Sequence, residues 1–265
     1  MTTRPSSKRS DAIGSDEGSA ATTGASTTGD PGVRLHDYRP DRNDLRVLIE
    51  LAAPVTLVQV GLMSMGAVDT VMVGRVSAAD LAAVAIGNLY FFIMAIFGQG
   101  VLFALDPVIS QAVGARDPIG VARGVQRGLI LAVMLSTVAM LLLVPAGPLL
   151  TLARQPAEVV PIADGYAHGL ILGVLPFYAF SVFRQSLQAM GSVRPIVLTV
   201  LAANMLNVLL NWIFIFGNLG APRLGAVGSA WGTSLSRWCL VILVGVLAWS
   251  RLRPTLRPWR GDAFA

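Results

Sequence analysis

Asp69 is the residue whose chemistry needs explaining, because it is the lone charged side chain between Leu51 and Gly74, a stretch long enough to cross a bilayer. About 20 apolar residues span the hydrocarbon core as a helix, and a carboxylate inside one costs several kcal/mol unless water, a cation or a proton accompanies it. An acid held there is a candidate functional site. Asn207 and Asn211 lie four apart in another apolar run, so helical periodicity puts both carboxamides on one face. Such a pair could supply oxygen ligands to a cation or join helices through hydrogen bonds. Ser229 and Thr233 repeat the spacing with hydroxyls, which in membrane helices often bond back to their own backbone. Arg237, well inside the same run, must pair with an acid or reach a watery cavity. His168 reads as a hydrogen-bonded interfacial histidine, and Asp106, followed by Pro107, as a solvated carboxylate near a helix end.

These residues sit in long apolar segments. Hydrophobic residues make up 54% of the chain and charged residues 13%, with a mean hydropathy of +0.66. A water-soluble domain carries about a quarter charged residues, so the composition describes an integral membrane protein. The periodicity predicts six membrane segments, at about 47–73, 81–110, 125–151, 162–187, 196–216 and 226–250. Short polar or Gly/Pro-rich connections separate them, from Arg75 to Asp80, Gly114 to Arg123, Arg154 to Pro161, Met190 to Pro195 and Gly217 to Leu224. Gly165, Gly169 and Gly173 put three bare patches on one face of the fourth segment, for close helix contact. Pro54 and Pro176 each remove a helical donor and are kink or hinge candidates.

Residues 1–44 read as a disordered tail, since Ser, Thr, Gly and Ala dominate from Thr2 to Gly32 and leave too little apolar surface to offset ordering. The tail has no apolar centre of the kind a cleaved signal peptide carries, so the first membrane helix is expected to act as its own insertion signal. Residues 45–253 form the membrane unit, and 254–265 read as the start of a linker. The basic excess, with a pI near 10.1, comes almost wholly from arginine and reports topology rather than a nucleic-acid partner. Arginines crowd the two ends of the chain and the connections after the second and fourth segments, whereas Arg75, Arg154 and Arg223 alone flank the opposite ends. By the positive-inside bias both termini are cytoplasmic in a multi-pass protein of the cell membrane. The single cysteine, Cys239, excludes an internal disulfide framework and reads as a packing residue.

The run Pro54-Val-Thr-Leu-Val-Gln followed by Ala67-Val-Asp69-Thr-Val-Met-Val-Gly74 resembles the first helix of the MATE (multidrug and toxic compound extrusion) transporters. Ser110-Gln-Ala-Val-Gly-Ala115 is similar to the stretch after their second helix, and Arg184-Gln-Ser-Leu-Gln-Ala-Met-Gly191 with Arg194-Pro195 to that before their fifth. Asn204-Met-Leu-Asn-Val-Leu-Leu-Asn-Trp-Ile-Phe-Ile-Phe-Gly217, then Gly225-Ala-Val-Gly-Ser-Ala-Trp-Gly-Thr233, resembles the fifth and sixth. The pieces keep their order and spacing over roughly Leu45 to Arg253.

The resemblance implies an all-α fold of six membrane helices, the N-terminal lobe of a twelve-helix secondary antiporter that exports amphipathic, often cationic, organic compounds in exchange for H⁺ or Na⁺. No cofactor is implied beyond that coupling ion. The family's first-helix acid, the coupling site, maps onto Asp69, its two fifth-helix amide positions onto Asn207 and Asn211, and its sixth-helix hydroxyl onto Thr233. A Na⁺ would take its oxygen ligands from these side chains, and Pro54 is the expected hinge. Some branches carry a second acid at the position of Asn211, so here Asp69 would be the sole carboxylate and either ion remains open. The expected partners are small organic substrates, the lipid bilayer, and a C-terminal six-helix lobe or a second copy. The ending Arg257-Pro-Trp-Arg-Gly-Asp-Ala-Phe-Ala265 looks cut short, which would make the chain a fragment, a truncated product or a split half.

Two other functions fit less of the sequence. A lipid-linked oligosaccharide flippase would line its cavity with several basic groups, and Arg237 alone answers to that. An intramembrane enzyme would need a nucleophile with a base, or a metal cluster, and the sequence holds no HExxH, no paired intramembrane aspartates and no Cys/His cluster.

Overall fold

The computed structural model describes residues 42–257, and within them every regular element is helical. The proposed tail up to residue 41 and the end of the chain from 258 lie outside the described residues. Ten helices follow in order: α1 (Arg42–Val73), α2 (Ala78–Phe103), α3 (Leu105–Gly114), α4 (Pro118–Leu143), α5 (Ala146–Leu152), α6 (Val160–Ile171), α7 (Val174–Ala189), α8 (Arg194–Phe216), α9 (Gly225–Leu247) and α10 (Trp249–Leu256).

Eight of these ten helices make up to six stretches long and apolar enough to cross a membrane, and α5 and α10 belong to none of them. Five are long, apolar stretches, Leu48–Val73, Ala78–Gly114, Pro118–Leu143, Arg194–Phe216 and Gly225–Leu247, and the sixth is the pair α6 and α7, bent by 49°. The fourth predicted segment, 162–187, is therefore a broken helix rather than a straight one. Pro176 cannot donate to the carbonyl of Leu172, and that carbonyl instead accepts the indole N–H of Trp238 on α9 at 3.1 Å. The second segment breaks at Ala104 for the same reason, because Pro107 leaves the carbonyl of Phe103 without its helical donor. By contrast, α1 continues as one helix through Pro54.

The predicted connection from Gly114 to Arg123 shrinks to three residues, since α4 already starts at Pro118. Asp117 caps it, with the backbone N–H of Ile119 donating to Oδ1 at 3.0 Å, and Pro118 fills the first turn, where a missing N–H costs nothing. Ser77 caps α2 in the same manner, accepting from the N–H of Asp80 at 3.0 Å.

Large apolar side chains such as Leu57, Phe97, Leu141, Met205 and Val246 stand exposed along the outer faces. In water such a surface would be unstable, whereas a bilayer solvates it. The interior is built by close approach of small residues. A Cβ on Gly169 would fall 2.7 Å from Cβ of Ala230, and one on Gly165 3.0 Å from Val227, so the glycine stripe of α6 is the seat of α9. Ser234 of α9 donates to the carbonyl of Gly169 at 2.7 Å across that seam. The stripe is packing, as its spacing suggests.

Candidate functional site

Three helices bring the sequence-flagged residues together. Asn204 of α8 donates to the carbonyl of Gly61 at 2.8 Å, where a Cβ would collide with Val200, so α1 and α8 are in backbone contact. Two turns further along α1, Asp69 lies on the same side and is 2% exposed. On the other flank α8 meets α9 through Gly228, whose added Cβ would strike the carbonyl of Phe214, and Gly232, whose added Cβ would lie 2.7 Å from Oδ1 of Asn211. Only bare backbone there lets Asn211 extend between the helices to reach Asp69.

The carboxylate of Asp69 accepts a hydrogen bond on each oxygen. Nδ2 of Asn211 donates to Oδ1 at 2.5 Å, and the hydroxyl of Thr233 donates to Oδ2 at 2.6 Å. Asn211 also donates to Oδ1 of Asn207 at 3.3 Å. Asn207 and Asn211 are fully buried. Thr233 therefore spends its hydroxyl on the acid rather than on its own backbone. Its helical neighbour Ser229 has a buried hydroxyl without a partner, as do Nδ2 of Asn207 and Oδ1 of Asn211. Unpaired polar atoms in a low-dielectric interior are costly, and two of these three belong to the amide pair beside Asp69. Pro54 stands four turns before Asp69 in α1, outside this cluster.

Asp69 and Thr233 also form part of the wall of a cavity of about 660 Å³ bounded by α1, α2, α7 and α9. Sequence reasoning did not find most of its lining. Asn88 and Gln99, eleven residues apart on α2, share a face, and Gln99 donates to Ser181 at 2.7 Å while its own Oε1 lacks a partner. Asn88 accepts from the hydroxyl of Tyr166 at 2.9 Å. Two carboxamides at that spacing in an apolar run were the available signal. Arg184, the first residue of the Arg184 to Gly191 motif, reaches the cavity as well. Arg237 satisfies the expected alternative of a cavity: it lines the same space, with Cζ 4.5 Å from the ring centre of Phe91 and 5.2 Å from that of Phe177. His168 and Asp106 stay outside. The histidine donates Nδ1–H to the carbonyl of Asp164 at 2.9 Å, and Asp106 is exposed in the first turn of α3.

An acid held by amide and hydroxyl donors, at the edge of an aromatic cavity, within a bundle of apolar helices long enough to cross a membrane, is the site that this fold builds. The family model MatE matches residues 54–213, and the chain belongs to that family of efflux transporters. It is 34% identical over 221 residues to multidrug resistance protein NorM of Vibrio parahaemolyticus, covering 83% of this chain and 48% of NorM. It is 33% identical over 205 residues to multidrug resistance protein MdtK of Yersinia pestis, covering 76% of this chain and 44% of MdtK. The chain thus spans about half the length of the curated relatives it matches. Its fold matches the crystal structure of the eukaryotic MATE transporter AtDTX14 with a TM-score of 0.74 at 21% identity, over 84% of this chain and 49% of that one. An outward-facing MATE family transporter matches with a TM-score of 0.66 at 22% identity, over 83% and 49%. Half-length cover fits the N-terminal lobe.

Proposed function

We propose that this chain is the ion-coupling lobe of an antiporter that exports amphipathic organic compounds in exchange for H⁺ or Na⁺, with Asp69 as the coupling acid. The observation that carries the reading is that Asp69 is nearly buried, bonded by Asn211 and Thr233, and at the same time part of the cavity wall. A buried carboxylate needs a counter-charge or a proton, so an ion arriving at Asp69 changes the charge that the cavity presents. The amide of Asn211 suits both states. Turned over about its Cβ–Cγ bond, it would offer Oδ1, now without a partner, to a protonated carboxyl or a cation. Na⁺ would find oxygen donors in Asp69, Asn207, Asn211 and Thr233. Exchange by rocking also needs a second bundle, and the natural counterpart is a C-terminal six-helix lobe or a second copy. In the membrane both termini would face the cytoplasm, by the arginine bias.

Antiport requires ion and cargo to compete, because each must favour a different state. Binding of an amphipathic fluorescent dye to the purified chain should weaken as pH falls or as Na⁺ rises, whichever ion is used. Asp69→Asn, which keeps the volume and mimics the neutral form, should bind dye with no dependence on either ion. Ion-independent binding by the unaltered chain, or an ion dependence retained by Asp69→Asn, would refute the assignment.

A further inference from the structure

A cavity of about 530 Å³ lies between the corner that joins α3 to α4 and the short helix α10, and it shares no lining residue with the cavity of Asp69. Its charged wall is Arg116, Asp117 and Arg251, and Val113, Val121 and Met190 are apolar wall. The space is preformed because α10 is pinned to the bundle: Leu252 and Thr255 are buried, and Nε2 of Gln126 on α4 donates to the carbonyl of Thr255 at 2.9 Å. The other flank is a tight turn. Arg116 sits at φ +54, with its N–H donating to the carbonyl of Val113 at 3.0 Å and that of Asp117 to Ala112 at 2.9 Å. Glycine is the usual residue at such a helix end, so the turn carries a guanidinium that its backbone does not need. Neither arginine makes an ion pair within 4.0 Å with a described acid. Asp117 accepts the N–H of Ile119 on Oδ1, which leaves its charge in place, and no described residue donates to Oδ2. Two cations and one anion thus face one space unanswered. Because α10 follows α9 directly and exposes Trp249, Arg251 and Arg253, it has the pattern of a helix at the level of lipid headgroups.

We propose that this cavity seats the headgroup of a phospholipid bearing a primary ammonium, as in phosphatidylethanolamine, with its phosphate on Arg116 and Arg251, its ammonium on Asp117 and its glycerol end against Val113, Val121 and Met190. Guanidinium groups bind phosphate oxygens with strong charge-assisted bonds, and an ammonium offers three N–H donors to a carboxylate. A zwitterion therefore answers all three charges at once. Phosphatidylglycerol would satisfy the arginines but set a second anion beside Asp117, and phosphatidylcholine has a quaternary ammonium with no N–H to donate. A lipid held this way ties α10 to the corner between α3 and α4.

The test is native mass spectrometry of the full chain, released from neutral detergent after equilibration with equimolar dioleoyl phosphatidylethanolamine, phosphatidylglycerol and phosphatidylcholine, whose masses identify the adduct. The ethanolamine lipid should be retained about tenfold over each competitor, the worth of one charge-assisted hydrogen bond. Asp117→Asn, which caps α4 equally well, should erase the preference over phosphatidylglycerol. Arg251→Gln should cut retention of all three lipids. Arg116→Gly should do the same with its turn intact, since glycine favours that φ, whereas Arg154→Gly, at φ +55 outside this cavity, should change nothing. Thermal unfolding, followed through Trp fluorescence, identifies a variant that fails to fold, and Arg251→Gln, at an exposed position, then carries the decision. Equal retention of the three lipids, a preference for either competitor, or a preference for the ethanolamine lipid over phosphatidylglycerol that survives Asp117→Asn overturns the proposal. Release of the lipid by millimolar inorganic phosphate would reassign the seat to a soluble anion and overturn it as well.

Discussion

Asp69 accepts two hydrogen bonds from helices it does not belong to, and each should be measurable. Thr233→Val keeps the shape and removes the 2.6 Å donor, leaving the buried acid short of a partner. Such a loss costs about 1–3 kcal/mol, so thermal unfolding in detergent should begin at lower temperature. A double-mutant cycle with Asp69→Ala should return a coupling of about 1 kcal/mol or more, and strictly additive effects would contradict the bond. Asn207→Ala should cost less than Asn211→Ala, because Asn211 holds Oδ1 of the acid at 2.5 Å and is the stronger of the two amide contacts. At this scale the sequence was informative. An acid in an apolar helix is rare enough to be noticed, and amides four apart share a face whatever surrounds them. Arg237 was legible as a residue in need of a partner, but not the identity of that partner. Phe91 and Phe177 come from helices whose mutual placement no local pattern encodes, and phenylalanine in an apolar run carries no signal of its own.

The helices hold these residues through contacts that a single methyl group tests. An alanine at Gly232 would place its Cβ 2.7 Å from Oδ1 of Asn211 and displace the amide from Asp69, whereas Gly245 has nothing within 4 Å of the same position. Gly232→Ala should therefore lose about 1–3 kcal/mol of stability and blunt the ion dependence of dye binding, with Gly245→Ala unchanged in both. Equal behaviour of the two variants would show that the α8 and α9 contact does not position the site. Segment number and approximate extent were readable, because hydropathy alone decides which stretches can meet lipid. The breaks were readable only in part. Pro176 was a marked residue, but the bend needs Gly173 and Trp238 as well, and the indole that accepts the task of satisfying Leu172 sits 66 residues away in the chain. The early start of α4 followed from Asp117-Pro118, a cap and first-turn pair that apolar periodicity overlooks.

For the molecule as a whole, topology is the first expected outcome. Arginines at both ends of the chain and after the second and fourth crossings predict that a reporter fused at Ala265 is cytoplasmic and one inserted near Arg223 periplasmic, and the reverse would refute the orientation. The second concerns what one lobe can do. Cells making only residues 1–265 should insert the chain and gain no efflux, since rocking exchange needs a second bundle against the cavity face. The measurement closest to the central claim is accumulation of an amphipathic fluorescent dye in cells that make this chain together with a matching C-terminal six-helix lobe, with and without Asp69→Asn. The account predicts gradient-dependent efflux that disappears in the variant although the protein still reaches the membrane. Undiminished efflux by Asp69→Asn would remove the acid from the mechanism and contradict the account.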